Sequence, residues 1–466
     1  MKHRLVVATV ALTLVAGLAG CGGGGGSDAK NFTNGGGGAS GEVDKPTDTT
    51  APDLTVDDTD DTVDGPDFED VNPETPEVSE DMSDDDVYLA ALDDIQDFWS
   101  KEYKSLYFNS FQKLPSDRIM PIAPGGDSGD QLCNGEQVTY DIVQDNAVAF
   151  DCQEGQLVAW DDDGLLKDTS AEFGPLASSA ILAHEFGHVI QYQSGGQLGT
   201  PYSELQADCF AGAWVANVSA NPPDSLQGFS DPSVVDATLS AMLTLRDPVG
   251  FDPAEEGAHG NGFDRVRVFQ DGFEKGPEEC ASYDDSPPTT TEIPFTSQED
   301  FDSGGNLDFE TLLPAATADL DNYYGILVEG WQPLGTLEPG DLDSDTADLL
   351  TNLNDSIGDG APLVFLGIGW AQSLQQLLGA DEGRDEQGQL LQAVCIAGDW
   401  MAHMFYDVEG DTTFGDLQLS PGDLDEAILG IIQVSTGSDD TEPGSVFELL
   451  SAYRQGVLQR IGSCGL

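Results

Sequence analysis

Residues 174–192 read GPLASSAILAHEFGHVIQY, a stretch apolar nearly all round that still contains His184, Glu185 and His188. Apolar residues on every side point to a buried helix, opened by Gly174-Pro175. Such a helix cannot carry two imidazoles and a carboxylate without partners for them. Residues four apart lie one turn apart on one helix face, so His184 and His188 can reach a common point. Glu185 is turned about 100° to the side. Two histidines at this spacing, with a glutamate after the first, can hold a zinc ion beside a general base. The chain has only 5 histidines, and two of them are used here.

A zinc site needs a further protein ligand. Glu204 opens ELQADCFAGAWVANV, a second apolar, helical run. Glu204 and Asp208 again stand four apart on one face. Glu204 is the expected third ligand, giving a His2Glu set with the fourth position open. Asp208 is placed to accept the free ring N–H of a ligating histidine. Ala211 and Gly212, a turn further on, are expected to let this helix lie close against the first. The competing reading makes Glu204 and Asp208 a solvated helix face in a very acidic protein.

That acidity is severe: 16 Lys+Arg against 86 Asp+Glu give a formal net charge of −70 over 466 residues. Phosphate backbones would repel such a chain, which argues against nucleic-acid binding, and so would an anionic lipid surface. A hydrophobic fraction of 39% still suffices for a core, and the length suits two domains. Whether the acidity reflects a salty habitat stays open.

The N-terminus has the form of an export signal. Lys2 and Arg4 precede an apolar run, Leu5 to Leu18, too short for a spanning helix, and Leu18-Ala19-Gly20-Cys21 follows. Cys21 resembles the lipidated cysteine of bacterial lipoproteins; a plain secretory signal is the alternative. Residues 1–20 are thus expected as signal peptide. Residues 21–86, glycine-rich and then acidic, are expected as a disordered tether. This places the protein outside the cell membrane, held there by its lipid only.

HEFGHVIQ (184–191), ELQADCFAGAW (204–214) and HGNGFDRVRVFQDGFEKG (259–276) together resemble the neutral zinc metallopeptidases of bacteria, within the gluzincin-like enzymes. The resemblance covers roughly residues 86–285. It implies an α+β, helix-rich, zincin-like domain (87–285) with one Zn2+ per chain, which hydrolyses a peptide or protein substrate with Glu185 as general base. His259, in a Gly-rich stretch, is the candidate for stabilising the oxyanion, with Arg265 as the alternative donor; a surface-loop histidine is the plainer reading. His403 is expected to be a bystander, and His3 leaves with the signal. Ala147–Cys152 and Leu157–Asp161, around a short Gly-containing link, read as a β-hairpin. The resemblance implies that an edge strand of it lies beside the metal helix, where an extended peptide could pair.

Residues 286–466 read as a degenerate copy. Leu391–Trp400 echoes Leu205–Trp214, and Leu366–Gln375 falls on Leu182–Gln191. Phe263, Phe269, Gly272 and Cys280 match Phe447, Tyr453, Gly456 and Cys464. His184, Glu185 and His188 then face Ile368, Gly369 and Gln372, Glu204 and Asp208 face Leu390 and Val394, and His259 faces Pro443. Packing residues persist while the proposed chemical residues are gone, so the copy is expected to bind no zinc. With Cys21 lipidated, six cysteines remain. The copy implies that Cys209 pairs with Cys280 and Cys395 with Cys464, pairs 71 and 69 residues apart, which leaves Cys133 for Cys152. Cys209 as a fourth metal ligand would close the site to water. The rival function is a catalytically inert, lipid-anchored binding or scaffold protein, in which Glu185 would have no purpose.

Overall fold

The computed structural model describes residues 82–466 apart from 197, 252–257, 292–294, 296–300, 302–303, 381–382, 407–416 and 437–444. The signal peptide, Cys21, nearly all of the tether and Pro443 lie outside the described residues. The chain folds as a helix-rich α+β protein. Among the described residues no helix is long and apolar enough to cross a membrane.

Helix α1 (Asp84–Tyr107) begins inside the segment that composition assigns to the tether. Ser83 caps it in a reciprocal capping box with Asp86, and Asp84, Asp85 and Asp86 fill the first turn, where the helix dipole favours negative charge. Those acids therefore belong to the fold. Strand β1 (Ile119–Ile122) follows, then an antiparallel pair, β2 (Asp127–Cys133) and β3 (Glu136–Thr139), and a single turn, α2 (Tyr140–Val143). The expected hairpin is present as β4 (Ala147–Phe150) and β5 (Leu157–Asp161), antiparallel, with β1 parallel to β5 on its other side. The order β1-β5-β4 leaves β4 at an edge.

Helices α3 (Leu165–Phe173), α4 (Pro175–Ser194), α5 (Tyr202–Ala220), α6 (Pro232–Leu243), α7 (Gly262–Lys275) and α8 (Pro277–Ser282) complete the first half. The second half consists of α9 (Phe309–Leu327), α10 (Ser344–Ser356), α11 (Gly360–Leu378), α12 (Glu386–Tyr406), α13 (Asp423–Thr436) and α14 (Ser445–Gln459). Buried side chains of both halves form one continuous core.

The two halves use the same contacts at matched positions. Gln206 Nε2 donates to the Cys280 carbonyl at 3.0 Å, and Gln392 Nε2 to the Cys464 carbonyl at 3.0 Å. Gln191 Nε2 reaches the Ser203 carbonyl, and Gln375 Nε2 the Gln389 carbonyl. The indoles of Trp214 and Trp400 donate to Asp94 on α1 and Asp319 on α9. A Cβ on Gly272 or Gly456 would overlap the Cys209 or Cys395 carbonyl oxygen, so α5 meets α7, and α12 meets α14, at near backbone contact. The three disulfides are Cys133–Cys152, Cys209–Cys280 and Cys395–Cys464, the pairs the sequence implies.

Two glycines separate packing from propensity. Gly369, within α11, has nothing near a would-be Cβ, whereas Gly456 has none of that space. Gly369→Ala is expected to raise stability by about 0.5–1 kcal/mol, because alanine loses less backbone freedom. Gly456→Ala should lower it by about 1–3 kcal/mol or more through overpacking. Thermal unfolding of the two variants checks both signs.

Candidate metal centre

The centre lies between α4 and α5. Helix α4 starts at Gly174-Pro175 and stops at Gly195, whose φ of 77° ends the helix in the left-handed region. It is buried around most of its circumference, His184 and Glu185 included. Gly187 permits the approach of α5, since a Cβ there would fall 2.7 Å from Ala207 Cα. Gly212, expected at this contact, packs on the α7 backbone at Phe269 instead. Its small size serves a different neighbour.

The structure brings His184, His188 and Glu204 together. Nε2 of His184 and Nε2 of His188 are 3.2 Å apart, and Glu204 Oε2 lies 3.2 Å from the first and 3.3 Å from the second. Four ligands placed tetrahedrally about 2.0 Å from a metal ion stand about 3.3 Å from one another, so this triangle has the edge length a zinc site requires.

The supporting hydrogen bonds fix which atoms face inward. His184 Nδ1 lies 2.6 Å from Asp208 Oδ1, an acceptor, so Nδ1 carries the hydrogen and Nε2 presents its lone pair. His188 Nδ1 lies 2.9 Å from Gln191 Oε1, and the Gln191 amide is oriented by donating to the Ser203 carbonyl at 2.6 Å. Two lone pairs and a carboxylate oxygen thus converge, an arrangement that repels itself unless a cation or a proton lies between them. Asp208 is the expected partner of His184. It is itself held by Arg265 through Nε at 2.8 Å and Nη2 at 2.9 Å, both residues being fully buried. Arg265 also donates to the Leu245 carbonyl.

Burial works against charge on His184, yet Asp208 and Glu204 outweigh it and raise its pKa to about 10. Burial likewise opposes charge on His188, whose pKa Glu204 carries upward. Burial would raise Glu204, but the two histidines pull it well below the usual carboxylate range. Without metal, then, a proton occupies the triangle. His188 and Glu204 keep 13% and 14% of their side chains exposed, so the centre can be reached from solvent.

Glu185 is buried beside this triangle and is not one of its corners. Burial pushes its carboxyl up, and the backbone N–H of Ala149, on edge strand β4, faces it. Tyr192, one turn after His188, donates to the Ala149 carbonyl at 3.2 Å. Metal helix and edge strand therefore lie side by side. His259 does not join the cluster: its ring is 3.4 Å from Asp247, with nearly half of its side chain exposed. His403 stacks on Tyr323 in the second half. Sequence reasoning missed the Gln191 contact, the Arg265 clamp on Asp208 and Tyr192. Gln191 alone carried a local sign, a polar residue in the apolar helix three positions after His188.

Among the described residues the second half has no such His2Glu centre. Ile368 and Val394, opposite His184 and Asp208, are buried apolar residues that fill the volume.

No family model matches the chain, and no solved structure matches it. Uncharacterized proteins of Mycobacterium bovis and Mycobacterium tuberculosis are 31% identical to it over 132 residues, 24% of this chain and 45% of theirs. The match thus spans less than half the length of these relatives.

A proton and a metal ion would compete for one place. With a folded pKa of about 10 against 6.5 for the free side chain, His184 stabilises the metal-free fold fully below about pH 6.5. That contribution is lost as pH rises toward 10. Zinc binding should release protons and weaken as pH falls, as titration calorimetry in buffers of different ionisation enthalpy can read. Asp208→Asn is expected to lower zinc affinity roughly 10–100-fold.

Proposed function

We propose that this chain is an exported, lipid-anchored, zinc-dependent peptidase with a zincin-like catalytic half. One observation carries the reading. Glu185 is buried beside three converging metal donors without being one of them, and it faces an edge strand, an arrangement a purely structural metal site has no use for. The donor set fits zinc: two imidazole nitrogens and one carboxylate oxygen, spaced for tetrahedral ligation and open on one side.

In this reading His184, His188 and Glu204 hold the metal. Asp208 and Gln191 keep both imidazoles in the ligating tautomer, and Arg265 fixes Asp208. Bound zinc supplies Lewis acidity, polarising water and a substrate carbonyl. Glu185 takes a proton from the attacking water and hands it to the departing amine; its raised pKa suits both halves of that transfer. An extended peptide would align along edge strand β4 by displacing the Tyr192 and Glu185 contacts to Ala149. A net charge of −70 favours neutral or basic peptides.

The second half is read as a duplicate of the first that lost its chemistry. The paired glutamine, tryptophan, glycine and cystine contacts support common descent, and the apolar residues at Ile368 and Val394 support an inert role as stabilising partner. The rival, an inert lipid-anchored scaffold, needs neither Glu185 nor the open side of the site.

Elemental analysis of the purified protein is expected to find one zinc per chain, and a chelator should stop digestion of an unfolded protein substrate. Glu185→Gln should retain zinc and lose hydrolysis by a factor of at least about 10². Full zinc with undiminished hydrolysis in that variant would sink the assigned role. Gln372→Ala, at the corresponding place in the second half, should leave zinc content and activity unchanged.

A further inference from the structure

We propose that Asp359, Asp423 and Glu426 form a second cation site, in the half without zinc ligands, which takes a hard divalent ion of the calcium class on oxygen donors. Asp359 immediately precedes α11, while Asp423 and Glu426 lie in the first turn of α13. Their exposures are 4%, 2% and 5%, and one oxygen from each falls within 4.8 Å of the others. Two oxygens bound at about 2.4 Å to one calcium ion are at most about 4.8 Å apart, a limit that all three pairs meet.

A second feature of the cluster is an orphaned oxygen. Asp359 Oδ2 accepts from the Leu307 N–H at 2.8 Å, but Asp359 Oδ1 is buried with no donor of the protein facing it. Such an oxygen costs stability until something positive occupies the space before it. The neighbouring carboxylates are anchored rather than neutralised. Asp423 accepts from the Ser420 backbone and hydroxyl, and Glu426 from the Gly360 N–H at 2.8 Å. The nearest fixed cation, Arg246, acts on Glu426 but lies against Asp425, at 4.0 Å.

Without an ion, burial leaves these groups one recourse, which is to hold protons. Burial raises Asp359 to about 6, and raises Asp423 and Glu426 well above the usual carboxylate range, the charge of Asp359 adding to both of the latter shifts. Asp359 and Asp423 are close enough to share a proton. A divalent ion would displace those protons and tie the start of α11 to the start of α13.

The donor chemistry selects the ion. No imidazole or thiolate is present to favour zinc, and carboxylates alone suit calcium. In the register that sets Leu366–Gln375 on Leu182–Gln191, Pro175 stands opposite Asp359, so the first half lacks this cluster.

The test uses the full chain, stripped of metal by chelation and dialysed. Equilibrium dialysis with calcium chloride should find one calcium bound per chain at millimolar free calcium, and thermal unfolding should show Tm raised by several degrees. Both effects should persist in His184→Ala, which separates this site from the zinc reading, and both should vanish in Asp423→Asn. Glu426→Gln serves if Asp423→Asn fails to fold. No calcium bound by the unmodified protein, with Tm responding to pH alone, would overturn the proposal in favour of shared protons. Calcium binding undiminished in Asp423→Asn and Glu426→Gln would overturn it in favour of surface carboxylates.

Discussion

Three acceptor atoms facing one another within 3.3 Å, inside a buried helix contact, is the constraint around which the first half is organised. Acceptors repel, and burial removes the water that would screen them. The fold holds them there from outside. α4 and α5 approach closely because Gly187 lies on Ala207. Each imidazole is pinned through its far nitrogen, and the carboxylate pinning His184 is pinned in turn by Arg265. Arg265 balances Asp208, so with both imidazoles neutral the inner triangle carries the charge of Glu204 alone. A divalent ion displacing the proton there would meet two neutral imidazoles and one carboxylate, and the centre would keep a net positive charge.

How much of this could be read from sequence depended on how local each relation was. The spacing of His184 and His188, and of Glu204 and Asp208, is a statement about one helix at a time, and helical periodicity supplies it. The pairing of the two helices needed only the inference that buried donors seek each other. The hairpin followed from two apolar runs around a short link. Other relations cross long stretches of chain. Asp208 and Arg265 stand 57 residues apart, and no periodicity links them. Ala149 reaches Glu185 only through the edge placement of β4, which depends on the parallel pairing of β1 with β5. Gly212 was legible as a close-contact residue, but its neighbour was not. Both faces of α5 are apolar and nothing in the sequence says which meets α7. At Asp84–Asp86 composition misled, because acids at a helix N-terminus look like a continuation of an acidic tether.

The two halves are joined by reciprocal contacts. Asp425 on α13 accepts from the Gly262 and Phe263 N–H groups at the start of α7, while Asp236 on α6 accepts from the Phe447 N–H near the start of α14. Each half thus supplies the carboxylate that satisfies the other's free helix-terminal donors. Arg454 adds an ion pair to Asp271 at 3.0 Å and one to Glu274 at 2.7 Å. An exchange of this kind resembles a two-fold interface between like subunits. Removing the second half would expose the α7 terminus and strip a large apolar surface from the shared core.

The halves also differ in how they meet one problem, the desolvation of anionic oxygen. In the first half a fixed internal cation, Arg265, accompanies the buried carboxylate of Asp208, while Glu204 faces the imidazoles and Glu185 is pushed by burial toward its protonated form. In the second half the carboxylates of Asp359, Asp423 and Glu426 are held mainly by backbone and side-chain dipoles, with the Arg246 charge also acting on Glu426, and an oxygen of Asp359 has no hydrogen-bond partner. Dipoles orient a carboxylate but do not cancel its charge, so the balance must come from protons or from a dissolved ion. A chain so poor in lysine and arginine has few fixed cations to distribute. On that ground its buried acids are the places where the surrounding solution, by its pH and its metal ions, is most directly coupled to the stability of the fold.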